Sequence, residues 1–166
     1  MPLTIRAATD ADRDAIWRIL EPMIRAGETY TLPRDMSRDD AFAYWFAPDN
    51  EVFVAEDEVD GEAAIVGTYV LRPNQRGGGA HVANCGYVTA TTATGKGIAG
   101  AMCEHSLARA RERGFRAMQF NFVVASNERA VRLWIKHGFR IVGLLPGAFQ
   151  HPHLGPTDAY VMFRDL

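Results

Sequence analysis

A run of closely spaced glycines near the middle of the chain has the composition of a phosphate-binding loop. Gly95 and Gly97 flank Lys96, and Gly100 follows within a predicted helix. Glycine permits positive-φ turns and close backbone approach, and the first N–H groups of a helix have no partner within it. Such N–H groups attract anions. The spacing therefore predicts a site for a ligand that carries phosphate.

Two well-known phosphate-binding loops fit this segment poorly. A Walker A loop needs glycine, four residues and then Gly-Lys-Ser/Thr, whereas Ala90 holds the first position and Gly97 replaces the hydroxyl residue. This interpretation is excluded. The glycine spacing also matches the dinucleotide-binding fingerprint, but six residues separate it from the strand that ends at Val88. No acidic residue ends the next predicted strand to hold a ribose, so the dinucleotide interpretation rests on the glycine spacing alone.

Two segments of this region resemble the motifs of a known enzyme family. Thr94-Gly95-Lys96-Gly97-Ile98-Ala99 is similar to the pyrophosphate loop Gln/Arg-x-x-Gly-x-Gly/Ala, with Thr94 in place of the usual first residue. Asn127-x-x-Ala130-x-x-x-Trp134-x-x-x-Gly138-Phe139 resembles the second motif of the same enzymes. The resemblance covers residues 80–139 and has the expected order and spacing. On these motifs the chain is identified as a member of the GNAT superfamily of acetyl-coenzyme A-dependent N-acetyltransferases.

The resemblance implies how acetyl-coenzyme A is bound. Backbone N–H groups of the glycine-rich loop would bind its pyrophosphate, and the strand backbone around Val88 would pair with its pantetheine arm. In this family a strand N–H near Val88 also serves as the oxyanion donor, and an asparagine at the position of Asn127 contacts the cofactor. Lys96 and Arg129 either approach a phosphate or are solvated basic residues. The predicted cofactor-binding residues are Tyr87, Val88, Thr89, Thr94, Gly95, Lys96, Gly97, Ile98, Ala99, Asn127 and Trp134.

Acid and base groups for acetyl transfer are not evident in the sequence. Many relatives carry tyrosine at the position of Trp134, where the hydroxyl protonates the departing thiolate, and an indole cannot usefully do so. Trp134 is therefore expected to pack along the cofactor or in the core. No carboxylate lies in residues 80–88 to deprotonate an attacking amine.

Two asparagines stand in predicted strands, which normally disfavour this residue. Asn84 and Asn121 either satisfy buried backbone groups or converge on the gap where acceptor and thioester meet. Their segments, residues 81–86 and 119–123, resemble those of N-acetyltransferases that detoxify proline analogues such as azetidine-2-carboxylate, in which strand asparagines hold the acceptor or a catalytic water. The predicted catalytic residues are Asn84, Asn121 and, through its N–H, Val88. Aromatic residues that border the acceptor site or belong to the core are Tyr30, Phe42, Tyr44, Trp45 and Phe46.

Composition narrows the class of protein. The 166 residues are 48% hydrophobic and 23% charged, with a net charge of −2, which fits one domain, residues 1–166, with a sizeable core. This charge gives no broad field for nucleic acid or an anionic membrane, and no apolar stretch approaches the ~20 residues of a membrane helix. Neither the two cysteines nor His151 and His153 have the spacing of zinc ligands, so no metal is expected. We expect a cytoplasmic protein with reduced thiols.

The predicted secondary structure is that of an α/β protein. Strands are predicted at residues 3–7, 52–55, 64–71, 80–88, 117–124, 140–143 and 159–163, and helices at 11–25, 38–46, from the glycine-rich loop to 113, and at 128–137. Residues 145–158 are predicted to form a long loop. A strand, a crossover helix and another strand pair in parallel, so the sheet is mixed. The GNAT resemblance implies a single-domain, mostly antiparallel sheet with a central parallel pair splayed around acetyl-coenzyme A, flanked by about four helices.

These features together predict an N-acetyltransferase that moves an acetyl group from acetyl-coenzyme A to the amine of a small molecule by direct attack in a ternary complex. The closer resemblance implies a proline analogue or another amino-acid-like acceptor. The amine of a protein, antibiotic or herbicide is the alternative acceptor, and an acyl-coenzyme A-binding regulatory module without turnover is the alternative from another class. Superfamily members are often dimers, which makes a homodimer a further prediction.

Overall fold

The computed structural model describes residues 2–166, which form one seven-stranded sheet with helices on both faces. The strands are β1 (Thr4–Ala7), β2 (Glu51–Val59), β3 (Glu62–Pro73), β4 (Val82–Thr89), β5 (Ala117–Val124), β6 (Arg140–His151) and β7 (Gly155–Asp165). The helices are α1 (Arg13–Ala26), α2 (Arg38–Trp45), α3 (Ile98–Glu112) and α4 (Glu128–Lys136), with 3-10 turns at Asp10–Asp12, Gly77–Gly79 and Thr91–Ala93.

The sheet is mixed, as the sequence predicts. Its strand order is β1-β2-β3-β4-β5-β7-β6, and β4–β5 is the parallel pair while the other neighbours are antiparallel. One buried cluster packs α3 and α4 on one face, around Met102 and Trp134. A second cluster packs α1 and α2 on the other face, around Ile16 and Trp45. The sheet thus separates the two clusters, and strands β2, β3 and β4 contribute side chains to both.

Local sequence signals explain where the first two helices begin and which faces they bury. Ile16, Ile19 and Leu20 recur at helical spacing in α1 and are 0%, 5% and 1% exposed, so this face packs on the sheet. Ile24 completes the buried stripe, whereas Met23, which has the same helical spacing from Ile16 and Ile19, is only half-buried. The Ser37 hydroxyl accepts a hydrogen bond from the N–H of residue 40 at 3.1 Å and caps α2 at its predicted start.

The prediction of a long loop at residues 145–158 is wrong, because β6 and β7 continue through this region as a hairpin. Phe149 pairs with Thr157 and His151 with Gly155. The register shifts between residues 145 and 149, where Pro146 interrupts the ladder, and a bulge of this kind tolerates a residue without an N–H. The turn-forming composition that predicts a loop belongs instead to a bulged strand.

No helix among residues 2–166 is long and apolar enough to cross a membrane.

Candidate functional site

The parallel pair β4–β5 opens into a gap shortly after it begins. The strands pair only at Val82 with Ala117 and at Ala83 with Met118, and their later residues do not pair with each other. Beyond these pairs a side chain links the two strands in place of backbone hydrogen bonds. The Asn84 Nδ2 donates a hydrogen bond to the carbonyl oxygen of residue 119 at 2.9 Å. Asn84 is 6% exposed. It therefore holds the two strands together where their backbones begin to separate.

The backbone direction along β4 follows from its ladder with β3. The Asn74 N–H donates to the Val82 carbonyl and the Ala90 N–H donates to the Val66 carbonyl, each at 2.8 Å. The register between these two bonds has no shift. Because backbone groups alternate in direction along a strand, the even-numbered residues of β4 bond to β3, and the odd-numbered residues turn toward β5 and the gap.

The Val88 N–H was predicted to face the gap as the oxyanion donor, but the alternation turns it the other way. Val88 lies opposite Thr68, so its N–H is turned toward β3 and away from the gap. The backbone groups of Tyr87 and Thr89 are turned toward the gap instead. Of these, the Tyr87 carbonyl accepts a hydrogen bond from the Tyr30 hydroxyl at 3.2 Å, while Tyr30 itself comes from the segment between α1 and α2. The oxyanion donor is therefore to be sought at these odd-numbered positions.

The glycine-rich loop presents unpaired N–H groups at the start of α3. Gly97 is the N-cap of α3 with φ of 79°, in the left-handed region that favours glycine, and no side chain caps this helix. Among residues 2–166, no acceptor receives the N–H groups of Gly95, Gly97, Ile98 or Ala99. These donors and the positive end of the helix dipole favour a negatively charged group at the loop.

Two cations flank this loop. Lys96 lies within it and is exposed, and Arg129 reaches it from the first turn of α4. The Arg129 Nη2 lies 3.3 Å from the position that a Cβ at Gly95 would take. The structure therefore brings the predicted loop and the start of α4 together, as binding of one pyrophosphate by both motifs requires.

The second motif divides between a helix cap and the core. The Asn127 Oδ1 accepts a hydrogen bond from the Ala130 N–H at 3.4 Å, so Asn127 is the N-cap of α4. Trp134 is 8% exposed and its ring lies 5.0 Å from the rings of both Tyr87 and Phe120. Burial raises the pKa of Tyr87 well above its ordinary value. Trp134 thus packs behind the gap, in the aromatic part of the core.

A polar cluster lies on the opposite face of the sheet from α3, around Asn84. The Arg72 Nε donates to the Asn84 Oδ1 at 3.0 Å, and the Arg72 Nη2 lies 3.5 Å from the Tyr44 hydroxyl. Tyr30 and Tyr44 flank Trp45, with ring centroids 6.5 and 6.4 Å from it. Burial raises the pKa of Tyr30 above its ordinary range. Of the aromatic residues of the predicted acceptor region, Tyr44 thus meets Asn84 through Arg72 and Tyr30 lies against β4 at Gly86, whereas Trp45 belongs to the core.

Asn121 lies further along the gap than Asn84 and is exposed. Its Nδ2 donates to the Asn74 Oδ1 at 2.6 Å, and its Oδ1 accepts from the Gln119 Nε2 at 2.9 Å. Asn84 and Asn121 share no hydrogen bond within the part of the chain that the structure describes. Gln119 links them, because Asn84 bonds to its backbone and Asn121 to its side chain.

The cysteines and histidines form no metal site in residues 2–166, where no group of three or more His, Cys, Asp or Glu residues is placed to hold an ion. Cys85 and Cys103 are buried and free, and burial raises the pKa of each to about 12. His151 is 9% exposed, and its Nδ1 accepts the N–H groups of His153 and Leu154 at 3.1 and 3.2 Å. It stabilises the β6–β7 turn.

Comparison with known proteins decides the family. Residues 14–139 match the Acetyltransferase (GNAT) family. The chain belongs to this family. A GCN5-related N-acetyltransferase from Kribbella flavida is 38% identical with a TM-score of 0.92, covering 99% of this chain and 98% of that one. N-acetyltransferase aca1 from Schizosaccharomyces pombe is 28% identical, and the match covers 83% of this chain and 72% of the relative.

A more distant structure shares the fold. The phosphinothricin acetyltransferase from Sinorhizobium meliloti, determined in complex with acetyl-coenzyme A, is 23% identical with a TM-score of 0.85 and covers 100% of this GNAT chain and 89% of that one. The predicted GNAT fold and the predicted class, an acetyl-coenzyme A-dependent acetyltransferase, are thus confirmed.

Sequence reasoning missed one residue of this GNAT site, Arg72. It lies on β3 directly opposite Asn84 in the register of the hairpin. A strand was predicted at residues 64–71, and because side chains alternate between the faces of a strand, extending it by one residue places Arg72 on the face of Thr68 and Val70. What the sequence did not supply was the register that pairs Arg72 with Asn84.

Proposed function

We propose that this GNAT enzyme transfers the acetyl group of acetyl-coenzyme A to the amine of a small, amino-acid-like molecule, by direct attack in a ternary complex. The observation that carries the proposal is the gap between β4 and β5, which has an anion-binding loop at one end and the polar cluster around Asn84 beside its opening. Donor and acceptor can therefore approach the gap from opposite faces of the sheet.

The residues at the glycine-rich loop fit a pyrophosphate-bearing donor. The unpaired N–H groups of Gly95, Gly97, Ile98 and Ala99, the dipole of α3 and two nearby cations all favour a group with negative charge. The cations are those of Lys96 and Arg129. The backbone of Tyr87 and Thr89 faces the gap and can pair with an extended amide-containing arm as an added strand. Asn127 fixes the start of α4 beside the loop and is assigned to the same site.

The chain's role in the reaction is to orient the amine and to stabilise negative charge. Acetyl-coenzyme A supplies the acetyl group as a thioester, whose carbonyl oxygen becomes negative when an amine attacks. The N–H groups that the β4 alternation turns toward the gap, at Tyr87 and its odd-numbered neighbours, are assigned as the oxyanion donors in place of Val88. Asn84 and Asn121 are assigned to the acceptor side, where their amide groups orient the attacking nitrogen.

Direct attack is favoured over a covalent enzyme intermediate because no activated thiol faces the gap. Cys85 is 7% exposed and belongs to the cluster that packs α3, on the face opposite Asn84. Burial raises its pKa to about 12, so the reactive thiolate is scarce at neutral pH. The amine is thus acetylated without an acyl-enzyme.

A proline analogue is the acceptor that we favour. The segments around Asn84 and Asn121 resemble those of proline-analogue N-acetyltransferases, and the two tyrosines near Asn84 suit a compact acceptor with an apolar ring. Phosphinothricin is the main alternative, because a phosphinothricin acetyltransferase has the same fold. A homodimer and a cytoplasmic location stay predictions from the sequence.

The test is acetyl transfer from acetyl-coenzyme A to a panel of amines, with thiol release measured and the products identified by mass spectrometry. The panel contains azetidine-2-carboxylate, L-proline, L-methionine, phosphinothricin and a peptide with an N-terminal alanine. We expect N-acetylation, with the highest kcat/KM for azetidine-2-carboxylate. A preference for the peptide would overturn the small-molecule assignment, and cofactor binding without thiol release would favour the regulatory module.

Replacing Trp134 by Phe is expected to leave most of the turnover intact. The indole packs among Tyr87, Phe120 and Phe139 and is not needed as a proton donor. The smaller ring should cost roughly 0.5–3 kcal/mol of stability, as core substitutions commonly do. Melting, cofactor affinity and kcat are measured on both proteins. A variant that folds and binds cofactor but loses ~10²-fold in kcat, the scale of general acid catalysis, would assign a catalytic role to Trp134.

A further inference from the structure

Arg72 is a half-buried guanidinium without a carboxylate partner. Arg6 and Arg109, which are also half-buried, form ion pairs with Asp12 and Glu51 at 2.8 and 2.6 Å. Arg72 has no carboxylate within 4.0 Å among residues 2–166, and its contacts are the neutral Asn84 and Tyr44. Burying part of a charged group costs free energy unless the charge is paired. This arginine is therefore suited to bind an anion from outside the chain.

One other half-buried arginine lacks a carboxylate, and its surroundings explain it. Arg164 donates to the backbone carbonyls of residues 137 and 165, and residue 137 ends α4, where the helix dipole is negative. Arg72 has no such helix end beside it in the described chain. Its charge is balanced only by an amide oxygen, a long contact to a hydroxyl and the Tyr44 ring, 5.6 Å from the guanidinium carbon.

Arg72 keeps enough free donors to bind a carboxylate. A guanidinium has five N–H groups, of which the Nε–H binds Asn84 and one Nη2 hydrogen is directed at Tyr44. The two Nη1 hydrogens and the second Nη2 hydrogen have no acceptor among residues 2–166. Such a terminal edge binds a carboxylate through two parallel hydrogen bonds. The bond to Asn84 fixes the orientation of that edge.

The position of Arg72 links this anion site to the reaction. Arg72 lies opposite Asn84, and Asn84 marks the point where β4 and β5 separate. The Arg72 Nε lies 3.0 Å from the Asn84 Oδ1, and the Asn84 Nδ2 bonds across to β5 at 2.9 Å, so this one amide lies between the guanidinium and the gap. The Tyr44 ring lies beside the same guanidinium, with its centroid 5.6 Å from the guanidinium carbon.

On this basis we propose that Arg72 binds the carboxylate of the acceptor, so that the enzyme selects amino acids over amines that lack an acid group. The proposal rests on the proposed function, because it names the acceptor class of the same site. Arg72 is a specificity-determining residue, and the acetyl transfer itself does not pass through it.

The test compares azetidine-2-carboxylate with its carboxamide, for the wild type, Arg72→Gln, Arg72→Lys and the control Arg76→Gln. Arg76 is exposed on the loop after β3 and forms no ion pair within residues 2–166. The wild type is expected to favour the acid by on the order of 10²-fold in kcat/KM, the scale of a bidentate charge-assisted contact. Arg72→Gln should remove this preference mainly through KM, Arg72→Lys should keep part of it, and Arg76→Gln should keep it whole.

Two results would overturn the proposal. One is a wild type that acetylates acid and carboxamide equally well. The other is an Arg72→Gln protein that loses kcat with both acceptors to the same degree. That result would mean that Arg72 serves only to hold the Asn84 side chain in place. The comparison of acid with carboxamide on the wild type shows whether the enzyme selects a carboxylate even when Arg72→Gln does not fold.

Failure of the proposed function gives a different result. Binding of azetidine-2-carboxylate and the other panel acids is measured by calorimetry, independently of turnover. Binding by the wild type that is lost in Arg72→Gln supports the anion site even when no amine is acetylated. Absence of binding by the wild type for every acid of the panel overturns it.

Discussion

Replacing Gly97 by Glu should abolish detectable binding of acetyl-coenzyme A. The added carboxylate stands at the N-cap of α3, among the unpaired N–H groups assigned to the pyrophosphate. Two unit charges 4 Å apart near a protein surface interact by about 4 kcal/mol, which corresponds to roughly a 10³-fold increase in Kd. The carboxylate can also accept the N–H groups of the first turn and so compete with the ligand.

Gly114→Glu is the matched control for this substitution. Gly114 has φ of +83° against +79° for Gly97, and no atom lies within 4 Å of an added Cβ at either position. Both variants therefore introduce the same side chain and a similar backbone strain, at opposite ends of α3. Calorimetric titration with acetyl-coenzyme A should show wild-type affinity for Gly114→Glu only. Equal affinities for the two variants would mean that the glycine-rich loop has another purpose.

Local patterns were sufficient to predict most elements of the fold because each of them buries one face. The spacing of Ile16, Ile19 and Leu20 predicts α1, and the turn at Asp60-Gly61 predicts the hairpin of β2 and β3, where both residues have positive φ. The same reasoning gave a wrong prediction, a loop, for residues 145–158. Prolines and glycines in a bulged strand have the composition of a loop, and only pairing with β7 shows that the strand continues.

The candidate site was less predictable, because its residues meet through strand register and not through spacing. Sequence reasoning placed Asn84 in a strand and the glycine-rich loop after it. It assigned the gap-facing amide to Val88, whereas the structure turns the amides of the residues on either side of it toward the gap. Backbone direction alternates with a period of two, so an error of one residue reverses it. Arg72 joins Asn84 across a connection, residues 74–81, whose length does not fix the pairing of β3 with β4.

Replacing Asn84 by Ala should reduce turnover with azetidine-2-carboxylate by on the order of 10²-fold, the cost expected of a misplaced reactant. The amide binds both the carbonyl oxygen of Gln119 and the Nε of Arg72, so its loss releases the two strands and the arginine at the opening of the gap. Affinity for acetyl-coenzyme A should stay near that of the wild type, since the glycine-rich loop and Asn127 lie at the far end of β4. Removal of a buried, bonded amide should also cost about 1–3 kcal/mol of stability.

Asn121→Ala separates a functional from a structural origin of this effect. Asn121 is exposed, and within residues 2–166 its side chain bonds only to those of Gln119 and Asn74, so its removal should change stability by less than about 0.5 kcal/mol. If the asparagines orient the acceptor, Asn121→Ala still lowers single-turnover rates while melting and cofactor affinity are unchanged. Should Asn84→Ala lose stability with intact turnover, and Asn121→Ala lose neither, both side chains serve only to hold the strands. Melting, cofactor affinity and single-turnover rate on the two variants therefore decide whether acceptor orientation resides in these amides.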